Sequence, residues 1–421
     1  MERRKPAAAG YQLPVKKKAE KPAEKALTKL YDSSEFDGDQ TKDNAKTKNK
    51  PSKKQHKTPK AHRERTSSGA AKNILKALVI IILLAGIGVG IYFLLKPSIS
   101  RENLGKEPLP IATADQIYYS PLSGLEVDSP SKVNQAATCI MIENSPDARP
   151  QSGLDQAGVV YEAIAEGGIT RFMAVFQETK PQFIGPVRSV RMTYAQFAKP
   201  YHCSIAHVGG ADNALNLIRN NAEFRDIDQF FNDSSYWRDN SRWAPHNVYT
   251  SFDRLDALNT NLGYTTSEFN GFTRIKPDTR NEAKTDANTI RITLSSPTYN
   301  QIFSYDAETN TYLRSHTEDG AHMVTDANGN QTQIAPTVVV AIKVNTLARD
   351  GSAEGYADYQ TMGSNDAYIF QDGTVIQGKW ERADENAELK FVDSTGAEIA
   401  LNRGQVWITA FPAGSGAISW E

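Results

Sequence analysis

A run of nineteen uncharged, mostly apolar residues at positions 77–95 is the strongest hydrophobic pattern in the chain. Lys76 and Lys96 border it on either side. About 20 apolar residues span a bilayer as a helix whose backbone groups bond to one another. A buried core helix would be shorter or would carry a polar face. We therefore predict a transmembrane helix over residues 74–95.

The region before this helix, residues 1–73, is rich in Lys, Ala and Pro and poor in aromatic residues, which is typical of a disordered tail. Twelve Lys and Arg residues lie between positions 40 and 76, whereas only three follow the helix before Glu107. The positive-inside rule predicts a cytoplasmic N-terminus and an extracytoplasmic C-terminal part. Because the apolar run begins only at residue 77, an uncleaved single-pass anchor is favoured over a signal peptide.

The function of the basic tail stays open between three interpretations. It binds anionic lipid head groups, it binds nucleic acid, or it acts only as a topology signal. Residues 96–115 contain three prolines and no periodicity, and are predicted to be a linker.

Apolar runs of strand length alternate with helical patterns between residues 116 and 278. This alternation predicts a mixed α/β first ectodomain. A helix over 254–262 has Ser251 or Asp253 as its cap and Gly263 as its end. The other predicted elements are strands at 137–143, 158–165, 169–177 and 203–208, and helices at 193–199 and 212–221.

The pattern changes after about residue 284, where nearly every apolar run is short and is followed by a turn signal. Such spacing predicts an antiparallel, β-rich second ectodomain over residues 284–421, so the fold class is α+β. Asp372-Gly373 is the clearest hairpin signal, because a type I′ turn needs positive φ. Strands are predicted at 289–294, 301–305, 311–315, 337–344, 367–370, 374–379, 389–392, 398–401 and 406–411.

The formal net charge of −1 hides an uneven distribution. Residues 1–76 hold 21 Lys and Arg against 9 Asp and Glu, a net +12, which leaves −13 for residues 77–421. Nucleic acid is not expected as a partner of the exported part, because a nucleic-acid-binding domain needs a basic face.

The two cysteines exclude a zinc module of four thiolates. Cys139 and Cys203 lie on separate predicted strands and pair only if those strands are neighbours. Two buried thiols are favoured over a disulfide, since free cysteine is among the most buried residue types. No H-E-x-x-H or C-x-x-C pattern is present, and neither a metal site nor a cofactor is expected.

A hairpin turning at Gly167-Gly168 is predicted to place Glu162, Glu166 and Arg171 on one sheet face. Arginine binds carboxylate or phosphate through a planar fork, and a nearby carboxylate suits acid/base chemistry. Two interpretations stay open, an anionic-ligand site and an internal ion-pair network. The predicted pairs are Glu166 with Ile169, Ile164 with Arg171, and Glu162 with Met173.

The segment 237–247 combines two Trp, two Arg and a His, a composition that suits a glycan-contacting loop. A packed loop in which His246 donates to backbone is the alternative, and His246 is the best single candidate for proton transfer. His207 precedes a Gly-Gly turn whose backbone N–H groups either approach an anion or merely form a tight turn. The candidate catalytic residues are Glu162, Glu166 and His246, and the candidate ligand-binding residues are Glu143, Asn144, Arg149, Arg171, Arg188, Arg191, His207, Arg238 and Asn247.

Ten short motifs spread over residues 116–421 carry a family resemblance. They are PLSGL at 121–125, MIEN at 141–144, ARPQSGL at 148–154, VYEA at 160–163, EGGITRF at 166–172, IGPVRS at 184–189, APHN at 244–247, YLRS at 312–315, DG at 372–373 and GKW at 378–380.

These motifs resemble the YerB-like family of bacterial envelope lipoproteins, whose two-part domain has no known function. The resemblance implies an exported envelope protein and brings no established activity with it. Family members are commonly lipid-anchored through a Cys, whereas this chain has no Cys near its apolar segment.

Two functions remain open. The first is a membrane-anchored envelope module that binds an anionic cell-wall polymer, a lipid-linked phosphate or a protein partner. The second is a glycan hydrolase or transferase with a carboxylate as acid/base and arginines as clamps. Carboxylates about 5–9 Å apart across an open cleft favour the enzyme. Carboxylates saturated by arginines in a closed interior favour the binding module or a purely structural role.

Overall fold

The computed structural model describes residues 116–277, 279, 286–347 and 355–421. The predicted tail, transmembrane helix and linker fall outside the described residues. Within the described ranges, no helix is both long and apolar enough to cross a bilayer. Strands dominate and helices are few, so this part of the chain is α+β with a β-rich C-terminal region.

Four α-helices lie in the described ranges. The longest begins at Phe252, two residues before the predicted start at 254, and follows extended Ser251, one of the two predicted caps. It ends at Leu262 as predicted, since Gly263, with a φ of 78°, lets its N–H reach the carbonyls of Asn259 and Thr260. The helices are α1 (Pro130–Val133), α2 (Met192–Ala198), α3 (Asp212–Asn220) and α4 (Phe252–Leu262), and single 3₁₀ turns occupy Pro146–Ala148, Leu154–Gln156, Lys199–Tyr201 and Asp233–Ser235.

The strands are short and mostly joined by tight turns. In chain order they are β1 (Tyr118–Tyr119), β2 (Glu126–Val127), β3 (Thr138–Glu143), β4 (Val159–Glu166), β5 (Ile169–Phe176), β6 (Ser204–His207), β7 (Arg225–Asp228), β8 (Tyr236–Arg238), β9 (Val248–Thr250), β10 (Thr289–Thr293), β11 (Gln301–Asp306), β12 (Thr311–His316), β13 (Gly320–Ala321), β14 (Met323–Thr325), β15 (Gln331–Gln333), β16 (Val338–Val344), β17 (Thr346–Leu347), β18 (Asp358–Tyr359), β19 (Gly363–Gln371), β20 (Thr374–Arg382), β21 (Lys390–Val392), β22 (Val406–Pro412) and β23 (Ala417–Trp420).

One ten-stranded sheet has the order β21-β20-β19-β16-β22-β4-β5-β3-β6-β7 and takes strands from both sides of the expected boundary at 278–284. The two sides meet where β22 runs parallel to β4, with Trp407 opposite Val160. A second sheet of five strands has the order β13-β12-β11-β10-β23. The described residues from 116 onwards therefore belong to one compact unit.

The central strands of the large sheet are buried on both faces, which explains their nearly continuous apolar sequences. Successive side chains alternate between two hydrophobic clusters, so Cys139 and Met141 join one cluster and Ile140 and Ile142 the other. Helices α2 and α3 cover the first face. Helix α4 and the five-stranded sheet cover the second face.

Strands β3 and β4 both run antiparallel to β5, and β6 and β7 run parallel to β3. The carboxyl ends of β3, β4, β6 and β7 therefore lie along one edge of the sheet. In sheets of this kind ligands bind outside the carboxyl ends of the strands. The polar residues that end β3, β4 and β6 are the sequence candidates Glu143, Glu166 and His207.

Cys139 and Cys203 form a disulfide, with Cα atoms 5.8 Å apart. The expectation of two free thiols is wrong, because β3 and β6 are direct neighbours and place the two residues side by side.

Candidate functional site

The hairpin β4–β5 carries a β-bulge between Ile164 and Glu166 that changes the predicted faces. Glu166 does pair with Ile169, but Ile164 pairs with Thr170 and Glu162 with Phe172. The predicted pairs Ile164–Arg171 and Glu162–Met173 are therefore wrong. The extra residue turns Glu166 to the face of Arg171 and leaves Glu162 on the opposite face.

Glu162 is fully buried between the two sheets and is saturated by hydrogen-bond donors. Arg314 of β12 donates Nη2 to both carboxylate oxygens, at 3.2 and 3.0 Å. The Trp407 indole donates to Oε2 at 3.2 Å. Asn144 and Thr170 donate to Oε1 at 3.2 and 3.0 Å. A carboxylate held by four side chains in a closed interior is fixed as an acceptor and is poorly suited to exchange protons with a substrate.

Two histidines extend the Glu162 cluster and bind the other terminal nitrogen of Arg314. Nη1 donates to His316 Nε2 at 3.2 Å and to His322 Nδ1. His322 Nε2 then donates to the Gln151 side chain at 2.8 Å. Burial and the charge of Arg314 hold the pKa of both histidines far below the ordinary range, so both rings are neutral.

Glu166 forms a second cluster, with Arg171 and Arg191. Arg171 Nη2 and Arg191 Nε each lie 2.7 Å from a carboxylate oxygen of Glu166. Burial raises the pKa of Glu166, but the two guanidinium charges outweigh it, and the pKa lies below its ordinary value. Arg171 is only 2 % exposed and also donates to the Ser189 carbonyl at 2.9 Å. These two arginines serve an internal ion-pair network.

Glu143 forms a third cluster at the end of β3. His246 Nδ1 lies 3.0 Å from Oε1, and Arg188 Nε lies 3.2 Å from Oε2. Burial raises the pKa of Glu143, but the hydrogen bond from His246 and the charge of Arg188 hold it below its ordinary value. Since an ionised carboxylate only accepts, His246 Nδ1 carries a proton and is the donor of this hydrogen bond.

His207, at the end of β6, belongs to a fourth cluster. Its Nδ1 bonds to the Gly209 carbonyl and its Nε2 to Asp226, both at 2.8 Å. Arg219 bridges Asp226 and Asp228 at 3.2 and 2.6 Å. Both ring nitrogens of His207 are therefore engaged within the protein. Among the described residues, no group of three or more His, Cys, Asp or Glu is arranged to hold a metal ion.

An open cavity of about 600 Å³ adjoins the Glu143 cluster, and we call it the Trp243 cavity. Trp243 in its wall is 90 % exposed, the largest exposed fraction of any large hydrophobic side chain in the described ranges. Arg242 reaches from the same loop to the carbonyls of Asp147 and Pro150, at 2.9 and 2.5 Å. The lining is Asp147, Arg149, Ser241, Arg242, Trp243, Ala244 and His246.

Arg149 borders the Trp243 cavity but is tied into the protein. It pairs with Asp319 and donates to the Asn144 side chain at 3.2 Å and to the Thr298 carbonyl at 3.0 Å. Arg238 instead donates to Asn247 at 2.8 Å on the hairpin β8–β9, away from the carboxylates. The candidates thus divide into a fully buried group around Glu162, a partly exposed group in which two arginines bind Glu166, and a group around Glu143 and His246 that adjoins the Trp243 cavity.

Three central residues were missed by sequence reasoning: Arg314, His316 and His322. A signal was present in β12, where Tyr312, Arg314 and His316 alternate and are all buried. A period-2 pattern with two polar residues on the buried face marks an interior network. Arg314 binds Glu162, which lies 152 positions earlier in the chain. No local sequence pattern reveals a pair so far apart.

Comparison with known protein families shows which family the chain belongs to. The family models "Protein of unknown function (DUF3048) N-terminal domain" and "C-terminal domain" match residues 122–265 and 290–408. The chain belongs to this two-part family. It is similar to "Putative lipoprotein YerB" of Bacillus subtilis, with 27 % identity over 295 residues, 70 % of this chain and 86 % of the relative.

A solved relative has the same fold. The crystal structure of YerB from Bacillus subtilis matches with a TM-score of 0.62 and 25 % identity, over 72 % of this chain and 99 % of that one. The resemblance to YerB-like proteins is therefore confirmed. Neither the family description nor the relatives' names assign an activity.

Proposed function

We propose that this protein is a membrane-anchored, extracytoplasmic binding protein for an anionic glycan of the cell envelope. The observation that carries the proposal is Trp243, an almost fully exposed indole in the wall of an open cavity. Tryptophan is enriched at interfaces, where its ring offers a large contact area and its N–H a hydrogen-bond donor. An indole face suits stacking on a sugar ring.

The charges around Trp243 favour an acidic substituent on that glycan. The lining contains two guanidinium groups, Arg149 and Arg242, against one carboxylate, Asp147. His246 adds an imidazole whose Nε2 lies 3.9 Å from Asp147. Pockets of 300–1,000 Å³ with a few placed polar groups are typical of small-ligand sites.

The arginine partners of Glu162 and Glu166 argue against a glycosidase mechanism at either carboxylate. A general acid or nucleophile must contact the reacting atoms, whereas both carboxylates are already bound by arginines. This is the arrangement that favours binding over hydrolysis.

Three observations support an extracytoplasmic location. The Cys139–Cys203 disulfide fits an oxidising compartment. The relative is named a putative lipoprotein, which places that protein at a membrane. Residues 77–95 and the lysines before them predict a single span with a cytoplasmic N-terminus. A reporter fused after Glu421 should be active only outside the cytoplasm, and activity of a cytoplasm-only reporter there would refute this topology.

Binding is tested with glycan fragments released from purified cell wall by a muramidase, titrated into the full-length protein by calorimetry. We expect Trp243→Ala to lower affinity at least tenfold. Phe231→Ala is the matched control, because Phe231 is also an exposed aromatic residue, at 73 %, but does not line the Trp243 cavity. Equal affinity of the wild type and Trp243→Ala would refute the site.

The His246–Glu143 pair favours one second candidate function, a transfer or hydrolysis reaction in the same cavity. A histidine oriented by a buried carboxylate and open at Nε2 has the arrangement of a general base. The test is release of new reducing ends or acyl groups from the same fragments. Turnover by the wild type that is lost in His246→Asn would establish catalysis, and no turnover above buffer would exclude it.

A further inference from the structure

A second cavity, of about 310 Å³, shares the Arg149 side chain with the Trp243 cavity. The first family part contributes Arg149 and the second contributes Asp319, whose side chains form an ion pair. Arg149 therefore lies between the two cavities, and the lining of the second cavity comes from both family parts.

One wall of the second cavity is apolar. The segment 146–150 and the strands β13 and β14 supply it, so it is built from small or flexible side chains. These are Pro146, Pro150, Ala321 and Met323. Such a wall accommodates a methyl-sized group rather than a charged one.

The same cavity is bordered by a histidine with an unused donor. His316 Nε2 accepts from Arg314, so the proton of its neutral ring lies on Nδ1. His316 Nδ1 is buried and has no hydrogen-bond partner in the described part of the chain. His322, its neighbour in the lining, uses both nitrogens, with Arg314 and Gln151. Buried hydrogen-bond donors nearly always have an acceptor. We therefore expect the acceptor for His316 Nδ1 to come from outside the chain.

A donor beside an apolar wall matches one common substituent of envelope sugars. We propose that the second cavity is a subsite for the acetamido group of an N-acetylated amino sugar, in the same glycan that stacks on Trp243. His316 Nδ1 donates to the acetamido oxygen, and the apolar wall packs against the methyl group. This inference rests on the proposed function and adds the substrate class.

The test compares the β-1,4-linked tetramers of N-acetylglucosamine and of glucose, which are both uncharged and differ only at C2. Calorimetry with the full-length protein should show at least tenfold tighter binding of the acetylated tetramer. In His316→Ala the two affinities should agree within about twofold, and thermal melts show whether the variant is folded.

A second variant leaves the buried network untouched. Ala321 is exposed on β13 and lines the cavity, so Ala321→Trp should fill the cavity and remove the preference as well. Ser304→Trp, an exposed position on β11 outside the cavity, is the control.

Three results would overturn the subsite: equal affinities in the wild type, a preference that survives both variants, or no binding of either tetramer. None of these results tests the proposed function itself. That function is tested separately, by the effect of Trp243→Ala on the binding of wall fragments.

Discussion

The Glu162 cluster and the Trp243 cavity lie on the same edge of one sheet and have opposite properties. Glu162 and Arg314 are fully buried and bind one another, and both carboxylate oxygens of Glu162 accept hydrogen bonds. Trp243 and Asp147 are exposed by 90 % and 83 %, and the loop carrying Trp243 is held by hydrogen bonds from Arg242 to backbone carbonyls.

This difference separates two uses of the same residue types. Arginine and glutamate in the enclosed cluster fix how the two sheets pack, whereas arginine and histidine in the open cavity border space that a ligand can fill. Substitutions in the first region should therefore change stability, and substitutions in the second should change binding.

The largest effect is expected for Arg314→Ala. It leaves Glu162 buried without its counter-charge, which should lower the free energy of unfolding by about 3–5 kcal/mol. Urea denaturation measures this loss. Arg291→Ala is the control, because the Arg291–Glu421 pair is exposed by 52 % and 74 % and should contribute about 0–1 kcal/mol. A loss below about 1 kcal/mol for Arg314→Ala would contradict the assignment of this cluster to packing.

The disulfide should have the next largest effect. It closes a loop of 64 positions, and its removal in Cys139→Ala/Cys203→Ala should cost about 2–4 kcal/mol. A reducing agent should lower the melting temperature of the wild type and leave the double variant unchanged. Affinity for wall fragments should stay the same in both, because neither cysteine lines the Trp243 cavity.

The same substitution at Arg171 and at Arg188 compares the Glu166 cluster with the Glu143 cluster. Arg171→Ala removes a buried guanidinium from Glu166 and leaves the Ser189 carbonyl without its donor, which should cost about 2 kcal/mol. Arg188 is 16 % exposed and pairs with Glu143 at 3.2 Å, so Arg188→Ala should cost about half as much. Equal melting temperatures for the two variants would contradict the distinction.

The sequence predicted much of this fold, because its signals are local. Alternating or continuous apolar runs located β3, β4, β5, β6 and β16, and Gly263 marked the end of α4. Strands such as β7 and β8 were missed, because Asp-rich and aromatic segments of three or four residues show no usable period. The region predicted for 398–401 contains only isolated bridges.

The candidate site was predicted less well, for a physical reason. Three of the candidate residues, Glu143, Glu166 and His207, lie at the ends of β3, β4 and β6. No sequence signal marked the bulge at residue 165, and one extra residue reverses the face of every side chain beyond it. The pairs Glu162–Arg314 and Arg149–Asp319 join residues 152 and 170 positions apart, so only the packing of the two sheets brings them together.

The Glu166 cluster should show its contribution through pH. Because the pKa of Glu166 is lowered in the folded protein, its stabilising effect is complete above the unfolded value near 4.5 and is lost as the pH falls through the folded pKa. Glu166→Gln should be less stable than the wild type by about 1 kcal/mol at pH 7. Denaturation curves at pH 7, 5, 4 and 3 should show this difference shrinking towards zero below pH 4. A constant difference at every pH would show that Glu166 acts through packing alone.

The smallest effect on stability is expected for Trp243→Ala. Because the indole is 90 % exposed, the folded protein loses almost no buried surface, and the free energy of unfolding should change by less than about 0.5 kcal/mol. The same variant should lose most of its affinity for wall fragments, so stability and binding separate in a single substitution. Trp407→Ala is the opposite case, because this indole is fully buried and donates to Glu162, and its loss should cost about 3–5 kcal/mol. If Trp243→Ala melted several degrees below the wild type, the Trp243 loop would belong to the packed structure, and the contrast between the two regions would fail.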